Sequence, residues 1–283
     1  MSDLSLAPAP PEALTELGII AGNNHYPFAL AEAAREAGVR RIVACAFEKE
    51  TNPAFADRVD EIEWMRVGQL GRLVRFFSSR KIRYAIMAGQ IAPGNLFDLR
   101  PDVKALLVLA KLRERNAESI FGAIAQELAK GGVELLNATT FMGRHLAAQG
   151  DLAGPRLSER QVDEVRFGFR IAKEISRLDI GQTVIVRRGT VLAVEGFDGT
   201  NATMLRGGEL GRGKAVMVKV SKPRQDLRFD VPVIGTQTLE IAAKAQIRAI
   251  AVEAGLTLIL EREKVLEQAA RQKISLFGIG PNF

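Results

Sequence analysis

The chain has very little cysteine and histidine. Cys45 is its single cysteine, and His25 and His145 are its two histidines among 283 residues. This excludes an intramolecular disulfide, a Cys-rich zinc site and a His-rich dinuclear phosphoesterase centre. Cys45 sits in an apolar run, Ile42 to Phe47, and reads as a core residue of a strand. The phosphate loop Gly-x-x-x-x-Gly-Lys-Ser/Thr, the metalloprotease pattern His-Glu-x-x-His and the dinucleotide fingerprint Gly-x-Gly-x-x-Gly are all missing. No apolar run approaches the ~18 residues needed to span a bilayer. Residues 1–13 carry Asp3, Pro8, Pro10 and Pro11 and lack the basic and apolar regions of a secretory signal. The expected location is cytoplasmic, with peripheral contact to the inner membrane as an extension.

The rest of the composition is ordinary for a globular protein: 47% hydrophobic and 25% charged residues. A net charge of +6 favours an anionic partner, whether a phosphate ligand, nucleic acid or an acidic membrane surface, without choosing among them. After the tail, short apolar runs alternate with helical patterns. Strands are expected near residues 17–22, 41–47, 62–67, 84–88 and 133–136, with helices near 27–38, 69–79 and 117–130. Such alternation implies βαβ units and a parallel, Rossmann-like sheet. The fold class is therefore α/β, with a Rossmann-like N-terminal domain at residues 14–137, a linker at 138–158 and a distinct mixed α/β domain at 159–283. In that second domain the expected helices are 159–178, 200–209, 236–245 and 262–272. Its expected strands are 183–186, 191–195, 215–220, 232–234, 249–252 and 274–277. The cations Arg72, Arg75, Arg80, Lys81 and Arg83 resemble a membrane-surface helix, but Leu70, Leu73, Val74 and Phe77 at i, i+3, i+4 and i+7 form a core-facing stripe.

Several segments can carry phosphate chemistry. Gly22, Asn23 and Asn24 follow a strand and open a helix, a junction whose backbone amides favour phosphate, and Gly89 and Gln90 end another strand. Both loops would open at the carboxyl edge of a parallel sheet, although ordinary tight turns look the same. In residues 221–232 the charges Lys222, Arg224, Asp226, Arg228 and Asp230 occupy alternate positions. If extended, this strip would point three cations and two carboxylates one way and Leu227, Phe229 and Val231 the other. Diphosphate cleavage uses such a mixture of cations and carboxylates, and a solvated strand edge with compensating ion pairs has the same pattern. Glu195, Asp198, Gly199 and Thr200 form a second group at a strand end and helix start, where plain turn and cap roles are equally available. Glu253 ends a further strand, and a hard cation needs only one or two such acids plus phosphate oxygens.

The segments Leu178 to Gln182, Val191 to Glu195 with Gly199 and Thr200, Lys222 with Pro223, Gln225 with Asp226, Arg228, and Asp230 to Pro232 resemble the LpxI family in the same order. The opening Gly18 to Gly22 and the pair Ala88 and Gly89 resemble that family's N-terminal domain. The resemblance implies hydrolysis of UDP-2,3-diacylglucosamine to UMP and 2,3-diacylglucosamine 1-phosphate, a step of lipid A synthesis, with a divalent cation such as Mg²⁺. It also implies a homodimer and no nucleic-acid partner. Asp230 is the family position whose loss disables turnover. It is expected as metal ligand or water-orienting base, with Lys222, Arg228 and Asp226 as catalytic companions. Gly22, Asn23, Asn24, Gly89, Gln90, Gly199, Thr200 and Gln225 are expected to bind substrate, and Glu195, Asp198 and Glu253 to complete a metal site with Asp230. Two departures stand out: the family's first loop is usually richer in glycine, whereas here Asn23 and Asn24 follow Gly22, and Ala117 and Glu118 stand where many members carry an Asp pair. The alternatives are a non-catalytic binder of nucleotide sugars or lipid intermediates on the same scaffold, and a nicotinamide-dependent oxidoreductase resting on the Rossmann-like half alone.

Overall fold

The computed structural model describes residues 7–12, 14–91, 101–113, 117–223, 225–281 and 283, without the side chains of Ala117 and Glu118. The chain divides into two compact bodies: Pro8–Met142 with Asp226–Asp230, and Gly143–Gln225 with Val231–Phe283. The short segment Asp226–Asp230 thus belongs with the N-terminal residues.

In the first body, β1 (Glu16–Ala21), β2 (Arg41–Phe47), β3 (Glu61–Met65), β4 (Tyr84–Ala88) and β5 (Glu134–Leu135) form an all-parallel sheet in the order β3-β2-β1-β4-β5. The helices are α1 (Tyr26–Glu36), α2 (Leu70–Ser79), α3 (Val103–Lys111) and α4 (Ala117–Lys130). Strands covered on both faces need continuous apolar runs, and β1 and β2 supply them. The core joins Ile20, Val43, Cys45, Met65 and Met87 of the sheet to Leu73, Val74 and Phe77 of α2 and Leu128 of α4. The α2 stripe is buried as its spacing predicts. Cys45 is fully buried, which pushes its thiol up and leaves it un-ionised.

In the second body, β6 (Gly150–Ala153), β7 (Thr183–Arg187), β8 (Thr190–Val194), β9 (Val216–Lys219), β11 (Ala249–Glu253) and β13 (Ser275–Ile279) form a mixed sheet, order β6-β13-β11-β9-β7-β8. β9, β11 and β13 are mutually parallel, whereas β6, β7 and β8 pair antiparallel. A separate parallel pair joins β10 (Val233–Ile234) to β12 (Leu258–Ile259). Alternate residues face opposite sides. Val184, Val186, Val216 and Val218 pack with Val165 and Ala172 of α5 (Glu159–Arg177). Ile185, Met217, Ile250 and Leu276 pack instead with Met204 of α6 (Gly199–Gly211), Leu239 of α7 (Thr236–Lys244) and Val265 of α8 (Arg262–Gln272). A capping box between Ser158 and Gln161 starts α5. The region between residues 139 and 159, without periodicity in the sequence, contributes the edge strand β6. The helix α3 is also additional to the sequence-based elements.

Candidate functional site

Residues 222–230 do not form the extended strip expected from their alternating charges. Lys222, Asp226, Arg228 and Asp230 therefore do not share one strand face, and Arg224 lies outside the described residues. The amides of Phe229 and Asp230 both donate to the carbonyl of Asp226, at 3.2 and 3.1 Å, which closes a turn. Pro223 interrupts extension before it. Tertiary packing decides the outcome: Ala138 N–H donates to the Leu227 carbonyl at 2.7 Å, and Phe229 packs into the first body's core. The ring centroids of Phe229 and Phe121 lie 5.3 Å apart.

Within this turn, Arg228 grips Asp226, with Nε 2.9 and 3.1 Å from the two carboxylate oxygens and the Arg228 amide 3.1 Å from Oδ1. The hydrogen bond from Arg228 holds the Asp226 carboxyl below the usual range, and Asp226 raises the guanidinium in return. Asp230, half-buried, follows directly.

The first-loop residues converge in the same body. Gly22 N–H donates to the Ala88 carbonyl and Asn23 N–H to the Gln90 carbonyl, both at 2.8 Å. These loops leave β1 and β4, where the strand order reverses direction from the first strand, the usual ligand crevice of an open parallel sheet. Glycine is required on both sides. A Cβ on Gly22 would lie 2.5 Å from the Gln90 carbonyl oxygen, and one on Gly89, at φ +95°, 2.4 Å from that of Asn23. Asn24 takes φ 64°, a left-handed angle that asparagine tolerates, and its Oδ1 accepts from Tyr26 N–H at 3.0 Å. Asn23 Nδ2 donates to Glu50 at 2.9 Å.

The second body gathers charges at one edge of its sheet. Thr183 is paired with Lys219, Lys219 with Val252, and Glu195 N–H donates to the Thr183 carbonyl at 2.9 Å, so the ends of β8, β9 and β11 carrying Glu195, Lys219 and Glu253 lie with the start of β7 along one side of the sheet. The Lys219 ammonium, 5% exposed, donates to Thr200 Oγ1 at 2.9 Å, and that hydroxyl donates to Glu195 Oε1 at 2.5 Å. Burial works to raise the Glu195 carboxyl, but the Lys219 charge, the Thr200 hydroxyl and the Gln182 amide outweigh it and hold it low. Asp198 precedes α6 without capping it. It binds Arg206 at 2.6 Å and the Gly196 amide at 3.1 Å, and Arg206 chiefly keeps it ionised. Gly199 takes φ +78° at the helix start.

Glu253 accepts from Lys173 Nζ through both oxygens at 3.1 Å and from Ser221 N–H at 2.8 Å, while Lys173 also reaches the Ser221 carbonyl at 2.9 Å. Lys173 and Glu253 thereby clamp the chain leaving β9. Beyond the clamp, Gln225 Oε1 accepts from Lys222 N–H at 2.7 Å, and Lys222 Nζ donates to Asp179. Gln225 Nε2 is buried without a hydrogen-bond partner among the described residues.

The structure therefore brings Glu195, Asp198 and Thr200 together around α6, and Lys222, Gln225 and Glu253 around the end of β9. Lys219 and Lys173 belong to no motif of the sequence, and the one legible signal for them is a lone lysine in the apolar run Ala215 to Val220. Among the described residues no three or more His, Cys, Asp or Glu side chains group as metal ligands. Glu195, Asp198 and Glu253 already have cationic or hydrogen-bonding partners of their own. Such a donor set does not make a closed protein cage for a metal ion.

A Rossmann-like parallel sheet followed by a mixed sheet with lysines and carboxylates at its strand ends defines a two-domain α/β protein with polar strand-end sites. Sequence models of the LpxI N-terminal and C-terminal domains match residues 16–145 and 148–277. The chain belongs to the LpxI family. A relative from Caulobacter vibrioides, named UDP-2,3-diacylglucosamine pyrophosphatase LpxI, is 31% identical over 278 residues, spanning 94% of this chain and 98% of the relative.

Proposed function

We propose that this protein hydrolyses the diphosphate bond of UDP-2,3-diacylglucosamine, releasing UMP and 2,3-diacylglucosamine 1-phosphate in lipid A synthesis. The observation that carries this reading is the end-to-end match to a relative named for that activity. The reaction adds water across the bond: one phosphorus gains the hydroxyl oxygen and the bridging oxygen leaves with the other product.

Asp230 is the proposed centre, orienting the water or accepting its proton, and it would hold the divalent cation through one carboxylate. Bound Mg²⁺ would neutralise charge on the diphosphate oxygens. Lys222 and Arg228 would face the phosphates, with Asp226 orienting the Arg228 guanidinium. With the Gly22 and Asn23 amides committed to the Ala88 and Gln90 carbonyls, the loop of Gly22, Asn23, Gly89 and Gln90 would form the wall of the nucleotide seat at the strand-order reversal. Lys219 and Thr200 supply a buried charge and hydroxyl at the second body's sheet edge. The same reading carries a homodimer, a cytoplasmic location, contact with the inner-membrane surface and no nucleic-acid partner. A monomer's mass by light scattering would remove the dimer.

The test is incubation of purified protein with the diacylated nucleotide sugar and assay of UMP, with Mg²⁺ or EDTA. UMP release that collapses in EDTA and in Asp230→Ala is expected. Substrate binding without UMP above buffer would leave a binding protein, and turnover undiminished in Asp230→Ala would remove that residue from the centre.

A further inference from the structure

The helix α3 is inverted relative to the usual surface helix. Ala105 is buried and Val108 packs against the first body's core, yet Val103, Leu106 and Leu107 are 73%, 53% and 58% exposed. With exposed Ala110 they fall at i, i+3, i+4 and i+7, one continuous outward stripe. The inner side is firmly held. Asp102 caps the helix by accepting from Ala105 N–H at 2.9 Å, and its other oxygen accepts from Gly71 N–H of α2 at 2.7 Å. Lys104 reaches Glu127 of α4 at 2.9 Å. The apolar stripe is therefore displayed on a fixed helix.

The exposed charges at its C-terminal end are cationic: Lys111 and Arg113 are exposed there, Lys104 is paired with Glu127, and residues 103–113 contain no acid. Leucines and valine on one side with cations alongside suit a helix lying at a lipid headgroup layer. A partner subunit fits less well. Nine residues of helix give a strip about 14 Å long and about 10 Å wide. That area, on the order of 150 Å², is far below the ~800 Å² per partner of a stable interface. Among the described residues no helix is long and apolar enough to cross a membrane, so the contact would be superficial.

We propose that the outward face of α3 docks this protein on an anionic lipid bilayer, with Val103, Leu106 and Leu107 entering the headgroup boundary and Lys111 and Arg113 meeting lipid phosphates. The biological purpose rests on the acylated substrate proposed above, whereas the docking itself does not require turnover.

The test is flotation of the full-length protein with phosphatidylcholine vesicles and with vesicles containing phosphatidylglycerol. Binding to the anionic vesicles alone is expected, weakened by salt. Lys111→Gln should lower affinity about fivefold, and the double variant Leu106→Gln with Leu107→Gln about tenfold or more. The double variant should keep the wild-type thermal midpoint and the wild-type rate on a short-chain, water-soluble diacyl substrate. Three results would overturn the proposal: no binding to anionic vesicles, equal binding by wild type and double variant, or a raised KM for the soluble substrate in that variant. The last would make the stripe an acyl-chain seat. Vesicle binding without UMP release would reject the hydrolase reading and leave the docking intact.

Discussion

Replacing Lys219 by methionine removes the charge that the buried Glu195 carboxylate meets through Thr200. Both residues are nearly inaccessible, at 5% and 8% exposure, so water cannot take the ammonium's place. Removing one partner of a buried pair costs about 3–5 kcal/mol. Here the charges communicate through a hydroxyl, and Glu195 keeps hydrogen bonds from Thr200 and the Gln182 amide, which puts the expected loss near the lower end, about 3 kcal/mol. At about 2–4 °C per kcal/mol for bodies of this size, the thermal midpoint should fall by about 6–12 °C. Glu195→Gln introduced into the Lys219→Met chain removes the stranded charge and should bring stability back to within about 1 kcal/mol of wild type. Urea and thermal melts of the wild type, both single variants and the double variant measure the cycle. A single variant within about 0.5 kcal/mol of wild type, or a double variant that loses the sum of the singles, would refute the coupling.

The same carboxylate has a pH signature. Its folded pKa lies below the unfolded value, so its stabilisation is complete above about pH 4.3 and is lost as pH falls through the lower folded value. Urea midpoints below pH 4 should therefore fall less steeply in Glu195→Gln, and an unchanged slope would contradict the assignment. Phe229→Ala should destabilise the first body by about 2 kcal/mol, because a half-buried ring stacked on Phe121 is lost, and denaturant melts read this directly. Gly89→Ala should cost at least about 2 kcal/mol through its positive φ and the clash with the Asn23 carbonyl, and a wild-type melting curve would show that the two loops can separate.

Much of the fold was legible because both sheets follow simple periods. The alternation along Thr183 to Val186 and Val216 to Lys219 sends successive side chains to two different cores, and the stripe Leu70, Leu73, Val74 and Phe77 is core in the structure as in the spacing. The helix α3 was not legible because Val103 to Lys111 is apolar nearly all round and offers no polar face to set a period. β6 is short, sits at an edge and is defined by backbone pairing with β13, which leaves little side-chain pattern. At the candidate site, Glu195, Asp198 and Thr200 could be read as a strand end and helix start. The clamp between Lys173 and Glu253 joins residues 80 positions apart, a relation that spacing cannot reveal. Residues 222–230 failed for a similar reason. Their alternation is real, but the packing of half-buried Phe229 and the bond from Ala138 select a turn.

That five-residue excursion bears on how the protein can be cut. Because Asp226–Asp230 completes the body formed by Pro8–Met142, a recombinant piece ending at the boundary after Met142 would lack Phe229 and leave Phe121 facing an open notch. The complementary piece would carry the same five residues with nothing to dock against. Halves expressed apart should be poorly behaved alone, and supplying residues 220–232 as a peptide should rescue the N-terminal one.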